Sequence, residues 1–285
     1  MDTKKTHIDN KHCLDFETER MLSSLKVPAT RSKEEAWEAL GSVISEKVAP
    51  PKTKSYSTRW AVAASFAVLV SIGYIFLTHT TKIVCSKGQH VEAILPDGSN
   101  VLINSDSQLS YQKYLWWNKR TVNLRGEAFF QVKKGKTFEV VTNNIVTSVL
   151  GTSFNVFARN SEVKVYCFTG KVAVKNVDTD SQAILTPGFG VATNSTTLGN
   201  IVSIGNKEKG WTTGEFYFEN SPLSNVFEEI ERQFNVRISA ENCKERRYSG
   251  YFNSKSLNLA LELVCTPMQL EYTITSDGNV VIKPM

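Results

Sequence analysis

Few side chains in this 285-residue chain have the types and spacing that catalysis requires. The segment Gly135-Lys136-Thr137 is similar to the end of a phosphate-binding loop, but Phe130 stands where that loop needs its first glycine. The serine-hydrolase pattern G-x-S-x-G and the zinc-protease pattern H-E-x-x-H do not occur, and the four histidines are scattered. The sequence therefore predicts no catalytic centre and no metal or cofactor site.

The cysteines do not form a metal-binding or redox motif. The chain has five of them: Cys13, Cys85, Cys167, Cys243 and Cys265. Because none is part of a C-x-x-C pair, neither a zinc site nor a thioredoxin-type site is indicated. Cys243 and Cys265 are the pair to test for a disulfide. The alternative is that both are small buried side chains.

The composition is that of a folded protein without a nucleic-acid site. Hydrophobic residues make up 41% of the chain, which is too many for a disordered protein. The net charge of +5 is not gathered into a run of Lys and Arg interleaved with aromatic residues, as nucleic-acid binding would require. We therefore expect other partners and no direct contact with nucleic acid.

One apolar segment is long enough to cross a membrane. It runs from Trp60 to Leu77 as WAVAASFAVLVSIGYIFL, and no charged residue follows before Lys82. About 18 residues at roughly 1.5 Å each cover a thin hydrocarbon core. The segment predicts a transmembrane helix over residues 60–78, and the alternative is a helix buried in a soluble core.

The charges beside this segment predict its orientation. Basic residues are more frequent on its N-terminal side, at Lys47, Lys52, Lys54 and Arg59. Because cytoplasmic flanks carry an excess of Lys and Arg, we expect residues 1–59 in the cytoplasm and the larger C-terminal part across the membrane.

The cytoplasmic segment contains one well-marked helix. Ser32 and Glu35 fit a capping box at its N-terminus. Apolar residues then recur at helical spacing at Trp37, Leu40, Ile44 and Val48, before Pro50 and Pro51 end the helix. An apolar stripe on so small a unit suggests a binding partner. The alternative is a weakly ordered tether.

Residues 82–205 predict an all-β domain. Pro96-Asp97-Gly98-Ser99 is a strong turn signal, and no helix of convincing length occurs between Ile83 and Ile204. The predicted strands are Val91–Leu95, Val101–Asn104, Arg120–Leu124, Phe129–Val132, Phe138–Thr142, Val146–Leu150, Phe154–Ala158, Val163–Phe168, Lys171–Lys175, Ile184–Leu185 and Val191–Thr193. This density of short strands is typical of a sandwich or a solenoid-like fold.

Residues 210–285 predict a small α+β domain made of two successive strand–helix–strand units. Ser221 is the expected N-cap of the first helix, with Pro222 at its first position. The apolar stripe of that helix consists of Leu223, Val226, Phe227, Ile230 and Phe234. The second helix is expected at Leu257–Cys265. The predicted strands are Glu215–Glu219, Val236–Ser239, Tyr248–Phe252, Leu270–Thr275 and Val280–Lys283.

Seven short motifs, in the same order, resemble the periplasmic domain of FecR-type anti-sigma factors, which are transmembrane regulators of sigma factors. They are Leu95–Ser99, Arg120–Val122, Leu124–Phe130, Phe138–Thr142, Leu150–Val156, Gly170–Val174 and Pro187–Gly188. The segment from Trp211 through Phe216–Leu223 to Phe234 resembles the C-terminal unit of that family, which is similar to the short N-terminal fold of secretins and TonB-dependent receptors. The resemblance covers the chain from about residue 82 to its end.

The resemblance implies a signalling protein of the bacterial inner membrane. Its cytoplasmic helices would bind an extracytoplasmic-function sigma factor, with Trp37, Leu40 and Ile44 as the anchors here. Its periplasmic part would contact the signalling domain of a TonB-dependent outer-membrane receptor. For that contact Phe216 and Phe218 form one face of a candidate strand. The alternative, which we prefer, is that they pack in the core.

The resemblance also implies a reaction, because some members of the family cleave themselves at a Gly-Thr bond that Gly151-Thr152 matches. The Thr152 hydroxyl would attack the Gly151 carbonyl, and the Gly151–Thr152 C–N bond would break to leave an ester and a free Thr152 amino group, an N-to-O acyl shift. Water would then hydrolyse the ester. Strain in a tight turn would assist this step. The alternative is that these two residues only form a turn between strands.

Two other functions remain open from the sequence. A membrane-anchored β-protein with a structural or adhesive role in the envelope would explain the strands, but not the apolar stripe of the cytoplasmic helix. A membrane-anchored enzyme lacks a catalytic constellation. The sequence does not identify the inducing signal, since siderophores, haem and glycans are all taken up through receptors of this kind.

Overall fold

The computed structural model describes residues 20, 32–47, 57–193, 197–205, 207–241, 243 and 245–285. The chain divides into two compact units, residues 1–64 and residues 65–285. Val48, Pro50 and Pro51, which were expected at the end of the first helix, lie outside the described residues, as does Cys13.

Helix α1 spans Lys33–Lys47 and begins with the predicted capping box. The backbone N–H of Glu35 donates to Ser32 Oγ at 3.3 Å, and the backbone N–H of Ser32 donates to Glu35 Oε2 at 3.1 Å. These two bonds satisfy backbone donors that a helix N-terminus otherwise leaves without partners. The predicted start of the helix is confirmed.

Helix α2 spans Ser57–Thr78 and contains the predicted apolar segment. Its 22 residues give a length of roughly 33 Å at 1.5 Å per residue. The hydroxyls of Ser71 and Thr78 donate to carbonyls one turn earlier, those of Ala67 and Tyr74. The helix is long and apolar enough to cross a membrane, and its apolar window is not buried in the structure.

Thirteen strands between Thr81 and Ser203 form a continuous, hydrogen-bonded β-rich unit. They are β1 (Thr81–Cys85), β2 (Val91–Ile94), β3 (Asn100–Ile103), β4 (Ser107–Tyr111), β5 (Arg120–Gln131), β6 (Phe138–Thr142), β7 (Ile145–Val149), β8 (Ser153–Arg159), β9 (Glu162–Cys167), β10 (Val172–Asn176), β11 (Gln182–Leu185), β12 (Phe189–Thr193) and β13 (Leu198–Ser203). The sequence did not predict β1, β4 or β13.

Strand β5 connects the two halves of this unit. Its first half pairs with β4 and, in parallel, with β6, and its second half pairs with β3 and β8. The strand changes partners at Gly126, which has φ +104° and would place a Cβ atom 2.3 Å from Ser107 Oγ. The prediction of two separate strands here was wrong, because one long strand bends at a glycine.

The two halves enclose one apolar core. Phe130 and Phe154 stack at 5.0 Å between ring centroids, and Phe138 meets Phe130 edge-on at 6.0 Å. All three side chains are fully buried. Phe138 belongs to one half and the other two to the second, so burial of these rings joins the halves.

The predicted turn at Pro96–Ser99 is fixed by a buried ion pair. Arg120 Nη1 lies 2.8 Å from Asp97 Oδ2, and the same nitrogen donates to the Lys133 carbonyl at 3.1 Å. The backbone N–H of Ser99 donates to Asp97 Oδ1 at 2.9 Å. The motif around Asp97 and the motif that begins at Arg120 therefore form one structural feature.

The described residues of the C-terminal module, from residue 207 onward, form two α-helices and two small sheets. Its elements are β14 (Glu215–Pro222), α3 (Leu223–Phe234), β15 (Ile238–Ala240), β16 (Arg247–Asn253), α4 (Leu257–Cys265), β17 (Leu270–Ile274) and β18 (Val280–Pro284). Strand β14 pairs with β16, while β18 lies between β15 and β17. The first of the two predicted strand–helix–strand units, β14–α3–β15, does not pair within itself, because its two strands belong to different sheets.

Helix α3 begins one residue later than predicted, at Leu223 and not at Pro222. Ser221 and Pro222 remain in β14, where they pair with Tyr248 and Arg247, so Ser221 does not cap the helix. The end of the helix and its buried stripe agree with the pattern, and α4 has the predicted bounds. Ser256 caps α4 by accepting from the Leu259 N–H.

The module has its own apolar core, which both helices and both sheets share. Cys243 and Cys265 are buried in it and are not joined by a disulfide. Burial, together with the proximity of Cys243, raises the pKa of Cys265 to about 12, so that thiol is protonated at neutral pH. The structure thus supports the interpretation of these cysteines as core side chains.

Candidate partner-binding surfaces

A buried polar cluster joins the β-rich unit to helix α3. Glu127 on β5 is at its centre and accepts two amide hydrogen bonds of 2.8 Å, from Asn104 to Oε2 and from Asn155 to Oε1. The indole N–H of Trp211 donates to Asn155 Oδ1 at 3.2 Å. All four side chains are buried, so the bonds replace the water that these groups lost on folding.

Helix α3 contributes Glu229, Arg232 and Gln233 to this cluster. Gln233 Nε2 donates to Asn104 Oδ1 at 2.9 Å and to Glu229 Oε1 at 2.7 Å. Arg232 donates to Glu229 Oε2 through Nε at 3.0 Å and through Nη2 at 2.8 Å. We call Asn104, Glu127, Asn155, Glu229, Arg232 and Gln233 the junction cluster. Its hydrogen bonds fix the position of helix α3 against the strands.

The two carboxylates of the junction cluster differ in their electrostatics. Burial, and then repulsion from Glu229, raises the pKa of Glu127. Burial also acts to raise the pKa of Glu229, but the guanidinium groups of Arg232 and Arg159 outweigh it, so the pKa of Glu229 is lowered. The surroundings of Glu229 therefore stabilise its ionised form. The surroundings of Glu127 instead destabilise its ionised form.

A cleft of about 480 Å³ opens beside the junction cluster. One wall is the outward face of β8 and β9, with Phe157, Lys164 and Tyr166, and the other wall is β14 together with the exposed side of α3. Seven glutamates and four basic residues line the cleft, so it is acidic in a chain whose net charge is +5. Among the described strands β14 pairs only with β16, which leaves its other edge without a strand partner.

The two phenylalanines proposed for receptor contact lie on β14, where both line the cleft and also pack against the core of the C-terminal module. Phe216 is 6% exposed and stacks on Phe252 at 4.9 Å, and Phe218 stacks on the same ring at 5.7 Å. Packing in the core, the alternative drawn from the sequence, therefore accounts for Phe216. The aromatic residues on the opposite face, Tyr217 and Tyr251, stack at 5.8 Å and are partly exposed.

The residues proposed for sigma-factor contact lie on α1. Trp37 is 67% exposed and Leu40 is 54% exposed, and Val43, which the sequence reasoning did not single out, is 55% exposed. Ile44 belongs to the same helix, but its side chain lies outside the described part of the chain. Large apolar side chains exposed on one helix mark a surface that another molecule can cover.

Gly151 and Thr152 form the tight connection between β7 and β8. The Thr152 side chain is 3% exposed, and its hydroxyl donates to the Lys171 carbonyl at 3.1 Å. Gly170 packs against this connection so closely that a Cβ atom there would lie 2.7 Å from Thr152 Oγ1. A backbone carbonyl does not take up a proton at neutral pH, so activation of this hydroxyl needs a rearrangement of the turn.

Sequence reasoning missed the junction cluster entirely. A signal was present, because Glu229 and Gln233 fall among the apolar positions of α3 and Glu127 falls between apolar residues of β5. A polar side chain that is buried at such a position needs hydrogen-bond partners. Their partners could not be named, since Asn104 and Gln233 are 129 residues apart.

Within the described residues, no group of three or more His, Cys, Asp or Glu side chains could hold a metal ion.

Two family profiles match the two parts of the molecule described above, the β-rich unit and the α+β module. The profile of the FecR protein family matches residues 81–173, and the profile of the FecR C-terminal domain matches residues 215–282. The two segments make up more than half of the chain. The chain belongs to the FecR family, the family of the FecR-type anti-sigma factors.

Two solved structures of a proposed anti-sigma factor from Parabacteroides distasonis ATCC 8503 are similar to this chain. The first, at 2.50 Å resolution, has 29% sequence identity and a TM-score of 0.66, and the match covers 73% of this chain and 100% of the other. The second, at 1.65 Å, has 29% identity and a TM-score of 0.65, with coverage of 72% and 99%. No protein of curated function matches the chain.

Proposed function

We propose that this chain is a transmembrane anti-sigma factor that carries a signal from the periplasm to an extracytoplasmic-function sigma factor. In this proposal α2 crosses the inner membrane once, α1 binds the sigma factor in the cytoplasm, and residues 82–285 receive the signal in the periplasm. One observation carries the proposal. A capped helix with exposed apolar side chains is separated from a β-rich FecR unit by a single long apolar helix.

The exposure of Trp37 and Leu40 supports the cytoplasmic half of the proposal. Their spacing of three residues places them on the same side of α1. A helix with such a stripe binds by laying it into an apolar groove of its partner. Tryptophan is the residue type most often found to dominate the energy of such contacts.

The acidic cleft supports the periplasmic half. An extended segment of the signalling domain of a TonB-dependent receptor would pair with the open edge of β14. Its side chains would alternate between the cleft and the exposed tyrosines of β14 and β16. Because glutamates outnumber basic residues in the cleft, the proposal favours a receptor segment with exposed Lys or Arg.

Substitution of Trp37 by alanine tests sigma-factor binding. The sigma factor should co-purify with the wild-type protein from membranes, and Trp37→Ala should weaken the interaction by about 2 kcal/mol, roughly thirtyfold, as loss of a central anchor does. Glu38→Ala is the matched control, since Glu38 is on the same helix and about 100° away from Trp37. Equal recovery of sigma factor with both variants, each inserted in the membrane, would refute binding through this stripe.

Fusions to a periplasmic and a cytoplasmic reporter test the orientation. A reporter at residue 285 should be active only in its periplasmic form, and a reporter before α1 only in its cytoplasmic form. The reverse pattern would leave the FecR unit on the wrong side of the membrane and would overturn the proposal.

We also propose a test of self-cleavage at Gly151-Thr152. If the bond is cleaved, wild type gives two fragments on a denaturing gel, Thr152→Ser keeps a hydroxyl and still gives two, and Thr152→Ala gives one full-length band. The buried hydroxyl predicts a slow reaction, since water must reach the ester. A single full-length band for all three proteins would assign the two residues a purely structural role.

A further inference from the structure

The loop between β4 and β5 places two adjacent tryptophans in opposite environments. Trp116 is 6% exposed and packs edge-on against Tyr111 and Phe138, at 5.3 and 5.9 Å between ring centroids. Trp117 is 74% exposed. The first side chain therefore holds the loop on the core while the second extends away from it, so the exposure of Trp117 results from an ordered loop.

The same loop contacts the end of the apolar helix. The ring of Tyr114 meets Phe76, in the last turn of α2, edge-on at 5.1 Å. Tyr114 also lies 6.0 Å from His79, directly after the helix. The exposed tryptophan is thus three residues from a tyrosine that touches the point where the apolar helix ends.

The charges around this loop are positive. Residues 112–119 contain Lys113 and Lys119 and no Asp or Glu, and both lysines are exposed. A third exposed lysine, Lys136, reaches the loop from the turn before β6, and its Nζ donates to the Trp117 carbonyl at 3.3 Å. Lys82, in β1, adds a further exposed cation four residues after the helix.

We infer that residues 112–119, with Lys136, form a membrane-contact loop that rests on the lipid headgroups beside the exit of α2. Trp and Tyr are enriched at the depth where headgroups meet hydrocarbon, because their rings are apolar and their N–H or O–H groups are polar. Lysines nearby attract anionic phospholipids. The inference rests on the proposed membrane crossing of α2. It goes beyond that crossing, since it attaches the β-rich unit to the bilayer at a second point.

Site-specific labelling of the full-length protein in lipid vesicles tests this contact. A single cysteine is introduced at Trp117, at Phe66 in the middle of α2, or at Val177 in the exposed turn after β10, in a chain that carries Cys13→Ser. Each is labelled with a fluorophore that reports polarity. Labelling of the parent chain gives the background from the other four cysteines, which are buried. The vesicles contain phosphatidylcholine and phosphatidylglycerol, with bromine either on the acyl chains or absent.

The expected result is that bromolipid quenches the label at Phe66 most, quenches the label at Trp117 at least twofold, and leaves the label at Val177 unchanged. Replacement of Lys113, Lys119 and Lys136 by Gln should reduce quenching at position 117 and leave position 66 unaffected. If position 117 behaves like position 177 while position 66 is quenched, the contact is wrong and the membrane crossing stands. Shielding of position 117 from aqueous iodide without bromolipid quenching would mean that protein covers the loop, which also overturns the contact. If position 66 is not quenched, the proposed crossing fails and the membrane contact fails with it.

Discussion

The core of the β-rich unit and the junction cluster are both buried, but they are built from opposite kinds of side chain. The core consists mainly of Val, Ile, Leu and Phe, whose packing is stabilised by removal of apolar surface from water. The junction cluster consists of carboxylates, amides and a guanidinium held by directional hydrogen bonds of 2.7–3.0 Å. The attachment of the module also has an apolar part, because Leu102 and Phe129 of the β-rich unit pack against the core of the module. The directional polar bonds of the junction cluster are what distinguish this attachment from the interior of the β-rich unit.

The difference has a consequence for how the two parts respond to perturbation. Exposure of apolar side chains to water costs free energy, so the core resists opening. Polar groups at the junction regain hydrogen bonds to water when the module moves away, and the net cost of opening is smaller than the number of bonds suggests. The junction cluster therefore specifies one docked arrangement, while the two apolar cores supply most of the stability.

Removal of a core ring should have the largest effect. Phe130→Ala deletes a fully buried ring that touches both Phe138 and Phe154, and it should lower the free energy of unfolding by about 3–5 kcal/mol. Thermal unfolding in mild detergent, followed by near-UV circular dichroism, measures the change. Phe189→Ala is the matched control, because that ring is 40% exposed. Equal destabilisation by both variants would contradict a core dominated by burial.

Removal of one amide from the junction cluster should have a smaller and more local effect. Gln233→Ala breaks the bonds to Asn104 and Glu229 and leaves buried groups without partners, at a cost of about 1–3 kcal/mol. Proteolysis within residues 204–214, the connection between the two parts, should then be faster while the fragment that contains Phe130 stays protected. Gln182→Ala, at an exposed position of β11, should leave the cleavage rate unchanged. A uniform loss of protection would mean that the two parts unfold as one.

The features that the sequence predicted are the local ones. The capping box of α1 needs only Ser32 and Glu35, which are three residues apart, and the alternating strand β6 and the amphipathic α4 have the predicted bounds. These elements can be recognised from their own sequence, because each buries one face and its apolar residues therefore recur with the period of a helix or a strand.

The errors fall where the apolar pattern is interrupted or missing. Strand β13 has no buried residue, so nothing in its sequence alternates. Strand β5 continues through Gly126 and Glu127, two residue types that are rare in strands, and they are there because the strand bends and meets the junction cluster. Gly126 and Glu127 thus mark the place where β5 meets other parts of the molecule. A search for regular apolar patterns misses such residues.

The pairing of elements that are distant in the sequence could not be predicted at all. The parallel contact of β5 with β6 and the pairing of β14 with β16 depend on the whole fold. The same holds for the candidate surfaces. The apolar stripe of α1 was predicted because its residues recur at helical spacing. The acidic cleft, by contrast, exists only once β9, β14 and α3 are assembled.

The pH dependence of stability provides the finest test of the comparison, because it isolates one proton. Glu127 has a raised pKa, so its contribution to stability is complete below the pKa of the unfolded chain and is lost as the pH rises through the folded value. Glu229 acts in the opposite sense. Its lowered pKa stabilises the fold above the unfolded pKa, and that contribution is lost as the pH falls through the folded value.

Glu127→Gln removes the first of these contributions and keeps the second. The free energy of unfolding of the variant, minus that of wild type, should therefore increase as the pH rises above the pKa of the unfolded carboxyl, about 4.3, with a slope of at most about 1.4 kcal/mol per pH unit. Asn104, Asn155, Arg159 and Glu229 surround position 127 in both proteins. Urea unfolding over this rise in pH measures the difference, and Glu92→Gln, on the exposed face of β2, gives the background for loss of one negative charge. A difference that is constant with pH would mean that Glu127 ionises as readily in the fold as in the unfolded chain, and that the junction cluster compensates its charge as fully as water does.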